Sequence, residues 1–138
     1  MATAGGANVG QSPEVTTKTR VLVIDDDLNV VEVLCLMLRT KGFDVLRAYR
    51  GIEGFNVARR ELPDVILLDI MMPDIDGYEV YRRLRLDQET RGIPVIFVSA
   101  RSQDEDVQKG LSSGAQGYIV KPFRAAVLVD KIKEVVKG

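Results

Sequence analysis

The sequence predicts an α/β domain, a doubly wound (βα)5 arrangement in which one five-stranded parallel sheet carries helices on both faces. Three observations predict it. Short runs of consecutive aliphatic residues recur along the chain, the pattern of strands buried on both faces. Each run is followed by a segment whose apolar residues return at helical spacing. The runs also stop abruptly on polar residues. Such alternation requires right-handed βαβ units, so every strand ends on the same edge of the sheet.

The elements follow in order. Residues 1–19 are rich in Ala, Gly, Ser and Thr and are expected to form a disordered tail. Arg20 to Ile24 is the first strand, ending in Asp25-Asp26-Asp27. Asn29 to Lys41 is a helix with Val30, Val31, Leu34, Leu36, Met37 and Leu38 as its apolar set; Asp27 or Asn29 caps it and Gly42 stops it. Phe43 to Ala48 is the second strand, and Ile52 to Arg60 a short, weaker helix. Val65 to Leu68 is the third strand, ending on Asp69. In the helix from Gly77 to Leu86, Tyr78, Val80, Tyr81 and Leu84 form one stripe, with Arg82, Arg83 and Arg85 turned largely outward. Pro94 to Val98 is the fourth strand, ending in Ser99-Ala100, and Gln103 to Ser113 a polar helix with few apolar anchors. Gly117 to Val120 is the fifth strand, ending in Lys121-Pro122-Phe123. Ala125 to Val136 closes the series, with Val127, Leu128, Ile132, Val135 and Val136 at core spacing.

Bulk properties narrow the function. A chain of 138 residues suits one domain with a sizeable core. A net charge of −1 gives no basic footprint for nucleic acid and no strong attraction to an anionic membrane. The single cysteine, Cys35, falls in the first helix as a small core residue, and no run is long enough to cross a bilayer. A reducing, cytoplasmic setting is expected. The sequence contains no histidine, so histidine acid/base chemistry, histidine metal ligation and a phosphohistidine are all excluded from this chain.

Four strand ends then carry chemistry: Asp25-Asp26, Asp69, Ser99 and Lys121. The topology brings three carboxylates, a hydroxyl and an ammonium to one crevice. Clustered carboxylates repel one another, and a hard divalent cation such as Mg²⁺ or the ammonium of Lys121 relieves them. The same set suits a phosphoryl group. The cations neutralise its oxygens, the hydroxyl donates a hydrogen bond, and a carboxylate serves as nucleophile without needing a general base.

The motifs Val23-Ile24-Asp25-Asp26-Asp27, Leu68-Asp69-Ile70-Met71-Met72-Pro73, Asp76-Gly77, Val98-Ser99-Ala100 and Lys121-Pro122-Phe123 stand in an order that resembles the response-regulator receiver domains of two-component signalling, the CheY-like superfamily with a flavodoxin-like fold. The resemblance covers roughly Thr19 to Lys137, so the receiver domain is expected over residues 20–138. It implies that Asp69 is the phosphoacceptor, and that Ser99 and Lys121 hold the phosphoryl oxygens. Mg²⁺ would be bound directly by Asp26 and Asp69, largely through water by Asp25, and by the Met71 backbone carbonyl. Ser99 and Tyr118 would form the switch, and the Lys121-Pro122 bond would be cis. A histidine kinase or histidine phosphotransfer protein would supply the phosphoryl group. A downstream protein would read the face made by the fourth helix, fifth strand and fifth helix, through which receivers can also dimerise when phosphorylated. With no sequence after the fifth helix, the expectation is a stand-alone or relay receiver with no DNA-binding output domain, or else a fragment of a longer regulator or hybrid kinase. It would be a signalling module and not an enzyme, catalysing only its own phosphorylation and dephosphorylation.

Two other readings compete. In a phosphohydrolase similar to the haloacid-dehalogenase group, Asp25-Asp26-Asp27 would hold the nucleophile, but Leu28-Asn29 departs from that group's motif and Asp69 is left without a task. A degenerate receiver would bind partners unphosphorylated, although all five core residues are present. Ser99 stands where the family more often has Thr, keeping the hydroxyl. Met71 and Arg101 put long side chains at the lip of the pocket, where they are expected to hinder water and slow dephosphorylation.

Overall fold

The computed structural model describes residues 18–137, so nearly all of the tail expected over residues 1–19 lies outside the described residues. The element order is β1 (Arg20–Ile24), α1 (Leu28–Thr40), β2 (Asp44–Ala48), α2 (Gly51–Glu61), β3 (Val65–Leu68), α3 (Gly77–Leu86), β4 (Val95–Ser99), α4 (Asp104–Ser112), β5 (Gly117–Val120) and α5 (Ala125–Lys137). All pairings are parallel, in the order β2-β1-β3-β4-β5. The expected doubly wound sheet is present, with β3 at its centre. Among the described residues no helix is long and apolar enough to cross a membrane.

Strand alternation sorts the core into two layers. Val21, Val23, Val65, Leu67, Ile96 and Val98 face α1 and α5, meeting Val31, Leu34, Leu38, Leu128 and Ile132. Leu22, Ile24, Ile66, Leu68, Val95 and Phe97 face α2 and α3, meeting Val57, Ala58, Val80, Tyr81 and Leu84. Each Val, Leu, Ile or Phe among them contributes about 1.5–3 kcal/mol by leaving water, which fixes the frame on which the strand ends sit.

Asp27, not Asn29, caps α1, accepting from the amides of Asn29 at 2.9 Å and Val30 at 3.3 Å. Gly42 follows with φ of 93°, a left-handed turn that favours glycine. The helix buries Val31, Leu34, Cys35 and Leu38, while Leu36 is 68% exposed, contrary to its expected place in the apolar set. In α5 Val127 and Val136, both expected in the core, are exposed, and Val129 is buried instead. The second helix, expected to be weak, runs for 11 residues. Arg85 does not turn outward: its guanidinium stacks on the Tyr81 ring at 4.5 Å and donates to the Tyr81 hydroxyl.

Candidate functional site

The site is built where the sheet ladder overruns the strands by one residue. Asp25 N donates to Ala48 O at 3.2 Å, Asp69 N to Ile24 O at 2.9 Å, and Lys121 N to Ser99 O at 2.8 Å. These bonds hold the backbone of each polar residue in register while its side chain leaves the sheet edge.

Asp25 and Asp69 are 3% and 7% exposed, and Asp26 is the most open of the three acids. One oxygen from each lies within 4.8 Å of the others. Asp25 Oδ1 accepts from the amide of Asp27 at 2.9 Å, and its Oδ2 accepts from Lys121 Nζ at 2.6 Å. The same ammonium stands 3.8 Å from Asp69 Oδ1, which also accepts from the amide of Ile70 at 2.9 Å. The single ammonium is thus committed mainly to Asp25. Burial, and next the Asp25 charge, push the Asp69 carboxyl up to about 6, against the opposing pull of Lys121 and the Ile70 amide. A buried carboxylate left in this state calls for a further cation. An all-oxygen donor set with one open member fits a small hard divalent ion.

Ser99, at the end of β4, is 1% exposed, and its Oγ accepts from the Arg101 amide at 3.2 Å. The Tyr118 hydroxyl donates to Arg101 O at 2.9 Å, so Ser99 and Tyr118 both hold the backbone of Arg101. The Tyr118 ring lies 6.2 Å from Phe97 and against Gly110 of α4, where a Cβ would come within 2.6 Å of it. The Lys121-Pro122 bond is cis, as expected from the resemblance.

Met71 is 56% exposed and lines an open cleft of about 500 Å³ with Asp26, Ile70 and Arg101. The Arg101 guanidinium is 3.6 Å from Asp106 on α4, tethered to the helix. Asp76 and Gly77 of the sequence motif shape the start of α3. Asp76 caps α3, accepting from the Glu79 amide at 2.9 Å. Gly77 sits where any Cβ would overlap the Asp69 backbone carbonyl, so only glycine lets α3 start this close to the acid. Asp74, in the same loop, accepts from the first two amides of α2.

This fold and strand-end constellation define a class. The chain belongs to the response regulator receiver domain family, which matches residues 21–133, and it is a phosphorylatable signalling module of two-component systems. Among curated relatives it is 40% identical over 119 residues to the protein PilH of Pseudomonas aeruginosa, covering 86% of this chain and 98% of that one. It is 39% identical over 118 residues to the DNA-binding response regulator MtrA of Mycobacterium tuberculosis, covering 86% of this chain but 50% of that one. The chain therefore spans about half the length of the MtrA relatives it matches. Among solved structures it resembles the receiver domain of the sensor histidine kinase PA1611 from Pseudomonas aeruginosa, which has a magnesium ion in its active-site cleft. The TM-score is 0.82 at 29% identity, over 88% of this chain and 100% of that one. The chemotaxis protein CheY4 of Vibrio cholerae aligns with a TM-score of 0.80 at 28% identity, over 86% and 99% of the two chains.

Proposed function

We propose that Asp69 is the phosphoacceptor, with Mg²⁺ held by Asp26, Asp69 and the Met71 backbone carbonyl and, largely through water, by Asp25. Bound there, Mg²⁺ supplies the positive charge that offsets the carboxylates and the phosphoryl oxygens. Asp69 Oδ1 is engaged by the Ile70 amide, which leaves Oδ2 as the attacking atom. The Oδ2–P bond forms as the P–N bond of a phosphohistidine on a histidine kinase or phosphotransfer protein breaks. The leaving imidazole keeps the electron pair and takes up a proton. Lys121 turns from Asp25 toward a phosphoryl oxygen, and the Ser99 hydroxyl donates to another.

The observation that carries this reading is the convergence of three acids, two of them beside one ammonium already committed to Asp25. Phosphorylation adds roughly −1.5 to −2 charge at this edge. Ser99 moves toward it, and Tyr118 shifts with the loop that both residues hold. The face of α4, β5 and α5 changes shape for a downstream protein or a second copy. Met71 at the lip shields the acyl phosphate from water. The protein works in the cytoplasm as a receiver. Incubation with acetyl phosphate and Mg²⁺, read by intact mass, tests the reading. The wild type gains one phosphoryl group and Asp69→Asn gains none; no gain in the wild type, or an equal gain in the variant, contradicts it.

A further inference from the structure

The loop between β3 and α3 carries Met71, whose backbone carbonyl is one of the proposed ligands. Its two ends are fixed locally. Ile70 is buried, and its carbonyl accepts from the Gly77 amide at 2.7 Å; Asp76 caps α3. The middle of the loop has no such local support. Among the described residues, one side chain links residues 71–75 by hydrogen bonds to another element, and that is Asp74. Its Oδ1 accepts from the amide of Gly51 at 3.0 Å, and its Oδ2 from the amide of Ile52 at 2.9 Å.

The partner side of this tie has a vacancy in its own sequence. Helix α2 begins after Arg50, whose side chain makes no capping bond. The first amides of a helix lack intrahelical acceptors, and a carboxylate there is favoured by both hydrogen bonding and the helix dipole. Asp74 supplies that cap from 22 and 23 residues away. Its carboxyl is partly desolvated, but the Ile52 and Gly51 amides outweigh this and hold it below its ordinary range. Packing runs alongside: a Cβ on Gly51 would come within 2.6 Å of the Ile75 side chain and 2.9 Å of its carbonyl oxygen. The loop therefore lies directly against the start of α2.

We infer that Asp74 is a positioning residue: by capping α2 from the β3–α3 loop, it fixes the height of the Met71 carbonyl at the metal-binding edge. The inference rests on the proposed Mg²⁺ site. It makes α2, which contributes no residue to the site, part of its support. Glu53 separates this role from simple helix stability. Its carboxylate accepts from the Tyr49 amide at 2.7 Å, supporting the same end of α2 without touching the loop.

The test compares Mg²⁺ dissociation constants, by titration calorimetry on metal-free full-length protein, for the wild type, Asp74→Ala, Asp74→Asn and Glu53→Ala. Loss of a supporting hydrogen-bond partner weakens metal binding by about tenfold in Asp74→Ala, while Glu53→Ala stays within about twofold of the wild type. Asp74→Asn, keeping one acceptor, falls between. In metal-free protein, amide exchange at Met71 and Met72 accelerates in Asp74→Ala but not in Glu53→Ala. Unchanged Mg²⁺ affinity in both Asp74 variants overturns the inference, as does an equal loss in Glu53→Ala. If the wild type itself binds no Mg²⁺, the proposed site falls too. If it binds and the Asp74 variants bind equally well, only the positioning role falls.

Discussion

Asp69 is strained electrostatically by its surroundings. Its carboxyl titrates near 6, against 3.8 for an ordinary Asp, because it is buried beside Asp25. For a raised carboxyl the sign is definite: folding is favoured while the group is protonated, and that contribution disappears as pH rises through about 6. In EDTA-containing buffer at pH 7.5, Asp69→Asn is therefore expected to be more stable than the wild type by on the order of 2 kcal/mol. Its advantage shrinks as pH falls from about 6 toward 4, and urea unfolding across that range measures it. Lys121 predicts the opposite. It closes on a carboxylate that is 4% exposed, so Lys121→Ala leaves Asp25 buried without its cation. Denaturant unfolding of metal-free protein should show a loss of about 3 kcal/mol, and saturating Mg²⁺ should return part of it.

At the scale of elements, the proposed switch depends on how closely α4 approaches β5. Gly110 is the buried residue of α4, and a Cβ there would meet the Tyr118 ring at 2.6 Å and Phe97 at 3.3 Å. On propensity alone, Gly110→Ala should gain about 1 kcal/mol for the helix. In place, it is expected to destabilise by about 1–2 kcal/mol through overpacking. In a Tyr118→Ala background the same substitution should become neutral or stabilising, so a double-mutant cycle reads the contact directly. Elements also show what the sequence makes legible. Buried strands announce themselves by unbroken aliphatic runs, and their polar ends stand out because a charged or hydroxyl residue interrupts the run; Asp25, Asp69, Ser99 and Lys121 were all legible that way. Asp74 was not, since a cap reaching back 22 residues leaves no local pattern. Leu36 and Arg85 were misplaced for a related reason. Helical spacing defines a stripe, but neighbouring elements decide its edges, and the Tyr81 face gave Arg85 an inward site.

For the whole molecule, the two faces of the sheet divide the work. Helices α1 and α5 close one layer with large aliphatic residues, while α4 rests on the other with only Gly110 buried. Few buried contacts mean low local stability. Hydrogen exchange in residues 104–112 should be much faster than in residues 28–40, and phosphorylation should slow it by ordering the loop that Ser99 and Tyr118 share. Equal protection of the two helices would show that α4 is not the movable element. The one-edge geometry was legible because alternating strands and helices admit few topologies. The pairing of Lys121 with Asp25 in preference to Asp69 was not, because it depends on side-chain distances of 2.6 and 3.8 Å.

If the end of the central strand is a nucleophile, its acyl phosphate can be trapped chemically. Hydride reduction of an acyl phosphate converts the aspartyl side chain to homoserine, leaving a permanent mark at the phosphorylated position. After acetyl phosphate and Mg²⁺ treatment, borohydride reduction and peptide mapping, homoserine is predicted at position 69 alone. Homoserine at position 25, 26 or 27, or none in protein that has gained a phosphoryl group, would contradict the account.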